Sequence, residues 1–158
     1  HFKVGLAAPV QKMVQSDISG VAFTVHPVTE DRDQMIIEAA YGLGEAIVGG
    51  MVTPDSYVVK KSDMSIMDVY IGGQNRKLVH AQGGKKTDES GDADRNEWVD
   101  LAKEEGGKQK LNGKQILEVA EMCKRIETHY GFPCDIEWAM EGGKLFITQS
   151  RPITTLKK

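Results

Sequence analysis

Between Asn112 and Gly131 the residues Ile116, Val119, Ala120, Cys123, Ile126 and Tyr130 recur at three- and four-residue steps, the spacing of one helix face. A helix with such a stripe is held in water by whatever covers that face, more than by its own propensity. Asn112 is placed to cap its start, and Gly131 with Pro133 ends it. The rest of the chain offers mainly short sheet-forming runs, so the fold class predicted is α+β: a mainly antiparallel or mixed sheet, one long helix and one or two short ones.

The sheet runs are residues 9–14, 21–25, 35–39, 57–60, 66–71 and 76–80, with turn material at 17–20 and 30–33. Glycines bracket Leu43 to Val48 closely enough for one or two helical turns. Residues 82–113 are polar and rich in Gly, Lys, Asp and Glu, with a modest helical pattern at Trp98, Val99, Leu101 and Ala102. They are predicted to be a mobile surface excursion within a single domain spanning residues 1–158.

Two alternating runs close the chain around Glu141, Gly142 and Gly143, which is a hairpin signal. Asp135, Glu137, Gln149 and Arg151 are polar residues in strands otherwise made for burial, and register decides whether they meet. A two-residue turn places Glu137 and Gln149 on opposite faces. A three-residue loop with a left-handed glycine brings Asp135, Glu137, Gln149 and Arg151 together and sends Ile136, Trp138, Met140 and Phe146 toward the helix, and this register is the one predicted.

A carboxylate beside an amide oxygen suits Mg²⁺, so Glu137 and Gln149 are candidate metal ligands, with Glu137 the principal one. Arg151 offers a planar fork to phosphate. On spacing alone, an exposed hairpin with solvated polar groups explains the same residues equally well.

Composition narrows the rest. The 20 basic and 23 acidic residues leave a net charge of −3 without a lysine or arginine stripe, which disfavours nucleic acid. Apolar runs are too short to cross a bilayer. Cys123 and Cys134 form no CxxC pair, so neither a disulfide framework nor a zinc site is indicated, and a reduced, cytoplasmic setting is expected. Opening at His1 without a leader, the chain reads as an excised or processed piece. The scattered methionines suit core filling.

Six motifs stand in order: Gln11-Lys12-Met13-Val14, Gly20-Val21-Ala22-Phe23-Thr24, Gly42-Leu43-Gly44-Glu45, Thr53-Pro54-Asp55, His129-Tyr130-Gly131-x-Pro133-x-Asp135-Ile136-Glu137-Trp138 and Gln149-Ser150-Arg151-Pro152. Together they resemble the ATP-binding domain of the phosphoenolpyruvate synthase and pyruvate phosphate dikinase family over nearly the whole chain. Rifampicin phosphotransferases and glucan water dikinases are similar too. The resemblance implies the later half of an ATP-grasp domain, with ATP and Mg²⁺ as ligands. It implies Glu137 and Gln149 on Mg²⁺ and phosphate, Asp135 in support and Arg151 as the catalytic contact to the transferring phosphates. Gln11, Lys12, Met13 and Val14 would meet the nucleotide, their backbone reading adenine, and Glu45 would lie near ribose or phosphate. Lys12, Thr24 and Asp55 are further lining candidates.

His26 and His129 do not match the family's phosphorylated histidine, which belongs to a separate domain; they read as a turn residue and a helix-end residue. The resemblance further implies partners outside these residues: the earlier ATP-grasp subdomain and the phosphohistidine domain. The whole enzyme would pass the β-phosphoryl of ATP to that histidine and then to pyruvate. An antibiotic acceptor, or a binding module without catalysis, remains the alternative.

Overall fold

The computed structural model describes residues 16–81 and 96–153. In chain order it contains β1 (Ile18–Phe23), β2 (Gln34–Tyr41), α1 (Glu45–Val48), β3 (Asp55–Lys60), β4 (Ser65–Tyr70), β5 (Arg76–His80), β6 (Asn96–Asp100), α2 (Lys103–Gly106), α3 (Gly113–Tyr130), β7 (Cys134–Glu141) and β8 (Lys144–Pro152). The fold is α+β. Six antiparallel strands form one sheet in the order β4-β3-β2-β1-β7-β8, and β5 with β6 forms a second, two-stranded sheet. The expected strand over residues 9–14 lies outside the described residues.

The long helix forms as its sequence requires. The Asn112 side chain accepts from the Gln115 backbone N–H at 2.8 Å, the Gln115 side chain accepts from the Asn112 N–H at 3.0 Å, and Gly131 closes the helix at φ 83°. Ile116, Val119, Ala120, Cys123 and Ile126 are buried against Met35 and Ile37 of β2, Tyr57 and Val59 of β3, and Ile136, Trp138 and Met140 of β7. Each such fully buried aliphatic side chain contributes about 1.5–3 kcal/mol relative to exposure. Both cysteines are free and buried, and burial pushes the Cys134 thiol up to about 11, so neither offers thiolate chemistry.

Alternation fixes the opposite face. Because Ala22, Ile37, Tyr57 and Ile136 point toward α3, the residues between them in each strand point away from it. Paired positions then form rows across this second face. One row runs Ser56, Glu38, Val21, Glu137, Gln149, and the next runs Val58, Ile36, Phe23, Asp135, Arg151.

The terminal hairpin reaches its register by a different device from the one expected. Glu141 pairs with Lys144, so the turn has two residues, Gly142 and Gly143, at φ 60° and 81°. Two successive positive φ angles are the demand of a type I′ turn, which glycine meets without strain. The register shifts later, between Glu137 and Trp138, where Thr148 is the extra residue on β8. The bulge brings Glu137 opposite Gln149 after all. It also corrects the apolar assignment: Leu145 and Ile147 pair with Met140 and Trp138 and pack on the core, whereas Phe146 pairs with Ala139 on the other face.

Residues 96–113 are exposed along most of their length, yet they hold regular structure and contribute Leu111 and Trp98 to the two cores. Trp98 and Val99 lie in β6 rather than a helix, with the Arg76 guanidinium 3.8 Å above the Trp98 ring. Lys110 and Leu111 are buried. Gly42, at φ 91°, carries the chain from β2 toward α1, and a Cβ there would stand 2.5 Å from the Leu78 carbonyl oxygen. Leu43, Ala46 and Leu78 form a small second core with Val52 and Trp98.

Candidate functional site

On the face of the sheet opposite α3, the bulge at Thr148 sets two pairs side by side, Glu137 with Gln149 and Asp135 with Arg151. Thr148 donates its hydroxyl to the Glu137 carbonyl oxygen at 3.2 Å. Arg151 reaches Asp135 Oδ2 from Nε at 3.4 Å and from Nη2 at 3.3 Å, with 63% of its side chain exposed. Bonds that long at the surface hold little, about 0–1 kcal/mol, so the guanidinium is loosely restrained and can turn toward an anion.

Glu137 is the stressed group of the site. Partial burial pushes its carboxyl above the ordinary carboxylate range, the Asp135 carboxylate adds to the shift, Arg151 opposes it, and Glu45 adds a further push. A half-desolvated carboxylate with like charges around it gains from any cation that arrives.

Beside this row opens a cavity of about 650 Å³. Its walls bring Gly44 and Glu45 at the start of α1 and His80 at the end of β5 toward Glu137, Phe146 and Thr148 on the hairpin. The Ser19 hydroxyl donates to the Gly42 carbonyl at 2.6 Å and ties the loop before α1 to the floor. Five predicted site residues, Glu45, Asp135, Glu137, Gln149 and Arg151, therefore share one region of the molecule. Gln11, Lys12, Met13 and Val14 lie outside the described residues.

Two other expected lining residues serve the fold instead. Asp55 is fully buried: it accepts from the Lys110 ammonium at 3.0 Å, the Lys110 N–H at 2.8 Å, the Gly72 N–H at 3.0 Å and the Tyr57 hydroxyl at 2.6 Å. The Thr24 hydroxyl oxygen accepts from the Cys134 N–H at 2.8 Å and joins β1 to β7. His26 is a turn residue, its Nδ1 accepting from the Val28 and Thr29 N–H groups at 3.2 Å. Sequence reasoning missed His80 and Thr148, which line the cavity. Only Thr148 left a readable signal, because the odd positions of β8 change from apolar at Leu145 and Ile147 to polar at Gln149 and Arg151, which a two-residue turn permits only with a bulge.

A family model described as the AMP/ATP-binding domain of pyruvate phosphate dikinase matches residues 1–158. The chain is 47% identical over 158 residues to a probable phosphoenolpyruvate synthase of Methanocaldococcus jannaschii. It is 48% identical over 163 aligned residues to a probable phosphoenolpyruvate synthase of Pyrococcus horikoshii, and 47% identical over 163 to a phosphoenolpyruvate synthase of Pyrococcus furiosus. Each alignment takes in 100% of this chain but only 12%, 19% and 19% of those relatives' lengths.

Proposed function

The chain belongs to the AMP/ATP-binding domain family of pyruvate phosphate dikinase, and we propose that it binds Mg·ATP on the sheet face opposite α3, as one half of an ATP-grasp site in a phosphoenolpyruvate synthase-like phosphotransferase. The observation that carries this reading is the bulged register, which stands Glu137 against Gln149 and Asp135 against Arg151 on one face.

The donor set fits magnesium. Glu137 supplies a carboxylate and Gln149 an amide oxygen, both hard ligands, and among the described residues no group of three or more His, Cys, Asp or Glu is placed to hold a metal. Mg²⁺ commonly takes one or two protein ligands and completes its shell with phosphate oxygens and water. Bound there, the ion would neutralise charge on the phosphates.

Arg151 turns its fork from Asp135 to the phosphates and steadies the charge that develops as a phosphoryl group moves. Asp135 holds that guanidinium in reserve and sharpens the affinity of Glu137 for a cation. Glu45 borders the nucleotide from α1, and Gln11 to Val14 present backbone groups to adenine. In the whole protein the phosphoryl group would go to a histidine on another domain and from there to pyruvate, in a cytoplasmic enzyme.

The test is an NMR titration of the chain with Mg·ATP, alongside a Glu137→Ala, Gln149→Ala variant. The expected result is magnesium-dependent shifts centred on Glu137, Gln149 and Gln11 to Val14, with the phosphate-side shifts lost in the variant. A well-folded sample whose signals do not move at millimolar nucleotide sinks the reading.

A further inference from the structure

Asn112, which caps α3, is one of three asparagines in the chain with Asn75 and Asn96, and it alone is followed by glycine. An asparagine carboxamide lies within five-membered-ring reach of the next residue's backbone nitrogen. Glycine leaves that nitrogen unshielded by a Cβ and its own backbone free to turn. Asn112 and Gly113 are both exposed to water. As the first residue of the helix, Gly113 has an N–H without an intrahelical acceptor, so no helical bond ties up the nitrogen. A Cβ at Gly113 would meet Ile66 Cδ1 at 3.8 Å, an ordinary contact, so packing does not require glycine there.

The reaction open to these atoms consumes only water. The Gly113 nitrogen gives its proton to solvent base and bonds to Asn112 Cγ, the Cγ–Nδ2 bond breaks, and ammonia leaves a closed succinimide ring. Water then opens the ring at Cγ to give aspartate, or at the backbone carbonyl carbon to give isoaspartate, whose main chain runs through the side chain. The folded helix opposes ring closure. The Asn112 carboxamide oxygen accepts from the Gln115 N–H at 2.8 Å, and the Asn112 N–H donates to Gln115 Oε1 at 3.0 Å. Those bonds hold the Asn112 backbone extended at ψ 173°, whereas closure needs the Gly113 nitrogen turned to the side of the Cβ.

We propose that Asn112 and Gly113 form a site of spontaneous covalent modification, deamidation through a succinimide, and that the capping box of α3 sets its rate, the ring closing when the first helical turn opens. The proposal is independent of the Mg·ATP reading. Its two products differ in effect. Aspartate keeps an oxygen for the Gln115 N–H and adds negative charge at the positive end of the helix. Isoaspartate lengthens the main chain by one carbon beside Leu111, which is fully buried and donates its N–H to the Tyr57 hydroxyl at 3.1 Å. Time spent with the first turn open is thereby turned into a permanent loosening of α3.

The experiment incubates the unsubstituted chain, Gln115→Ala and Gly113→Ala in mildly alkaline buffer, each with and without denaturing urea. Peptide mapping by mass spectrometry follows aspartate and isoaspartate at position 112, and a thermal melt accompanies each sample. The unsubstituted chain is expected to deamidate at Asn112 slowly when folded and fast in urea. Folded Gln115→Ala should react about fivefold faster than the folded unsubstituted chain, the factor for about 1 kcal/mol of lost capping, with no change in urea. Gly113→Ala should react slowly in both states without melting lower, and the isoaspartate product should melt below the aspartate one. Equal rates for the unsubstituted chain folded and in urea, or a folded Gln115→Ala no faster than the unsubstituted chain, overturns control by the capping box. Absence of deamidation at Asn112 in urea overturns the site itself.

Discussion

Lys110 has its ammonium in a cage with none of its side chain exposed, donating to Asp55 Oδ1 at 3.0 Å and to the carbonyls of Gly72 at 2.9 Å and Gly106 at 3.0 Å. Removing one partner of such a pair strands the other charge in a dry interior. Lys110→Met is therefore expected to lose about 3–5 kcal/mol in urea unfolding, far more than a surface lysine. Glu137 behaves in the opposite sense. Its folded pKa lies above the unfolded one, so between those values the folded state binds more protons, and stability falls as pH rises through that window. Glu137→Gln is expected to raise the melting temperature at neutral pH and to flatten this dependence. The same proton competes with a cation, so Mg·ATP affinity should fall as pH drops through the raised pKa of Glu137, a trend that titrations at several pH values check.

The hairpin of β7 and β8 shows how one residue sets a whole strand's chemistry. Deleting Thr148 removes the bulge but leaves Trp138 opposite Ile147 and Glu137 opposite Gln149, because those pairs then become consecutive. The deletion is expected to keep nucleotide affinity within a few-fold. Inserting one residue after Thr148 instead lets β8 pair regularly and moves Gln149 opposite Asp135, so affinity should be lost while the hairpin persists; NMR titration of both variants separates these outcomes. The helix α3 depends on local chemistry in a simpler way. Asn112→Ala removes the side-chain acceptor of its capping box, leaving the Gln115 N–H uncapped, and should cost about 1 kcal/mol in the same unfolding measurement.

At the scale of the molecule, the sheet divides labour between its faces: one packs on α3, and the other carries Glu38, Asp135, Glu137, Gln149 and Arg151 beside a cavity walled by α1. On the reading proposed above, that open face would meet a nucleotide from one side only within this chain, which spans 12–19% of the three relatives' lengths described above. Binding by the chain alone is expected to be weak, and calorimetry should show a large gain when the remaining polypeptide encloses the ligand.

The sequence by itself determined the elements whose causes are local. The helix from Gly113 to Tyr130 follows from a 3.6-residue stripe with a cap at each end, and the closing hairpin follows from alternation around two glycines. It also placed Asp135 with Glu137, and Gln149 with Arg151, on one side of their respective strands, since alternate positions of a strand share a face, while the register that joins the two pairs was left to the bulge. Tertiary structure alone decided the rest, because pairing partners distant in sequence choose it. The bulge at Thr148 answers to the core under Trp138, not to the turn. The strand at Trp98 forms because β5 lies beside it, and Asp55 is buried because Lys110, 55 residues later, reaches it. Glu38 reads in one dimension as an interruption of an apolar strand, and only the ordering of β2, β1 and β7 sets it in line with Glu137.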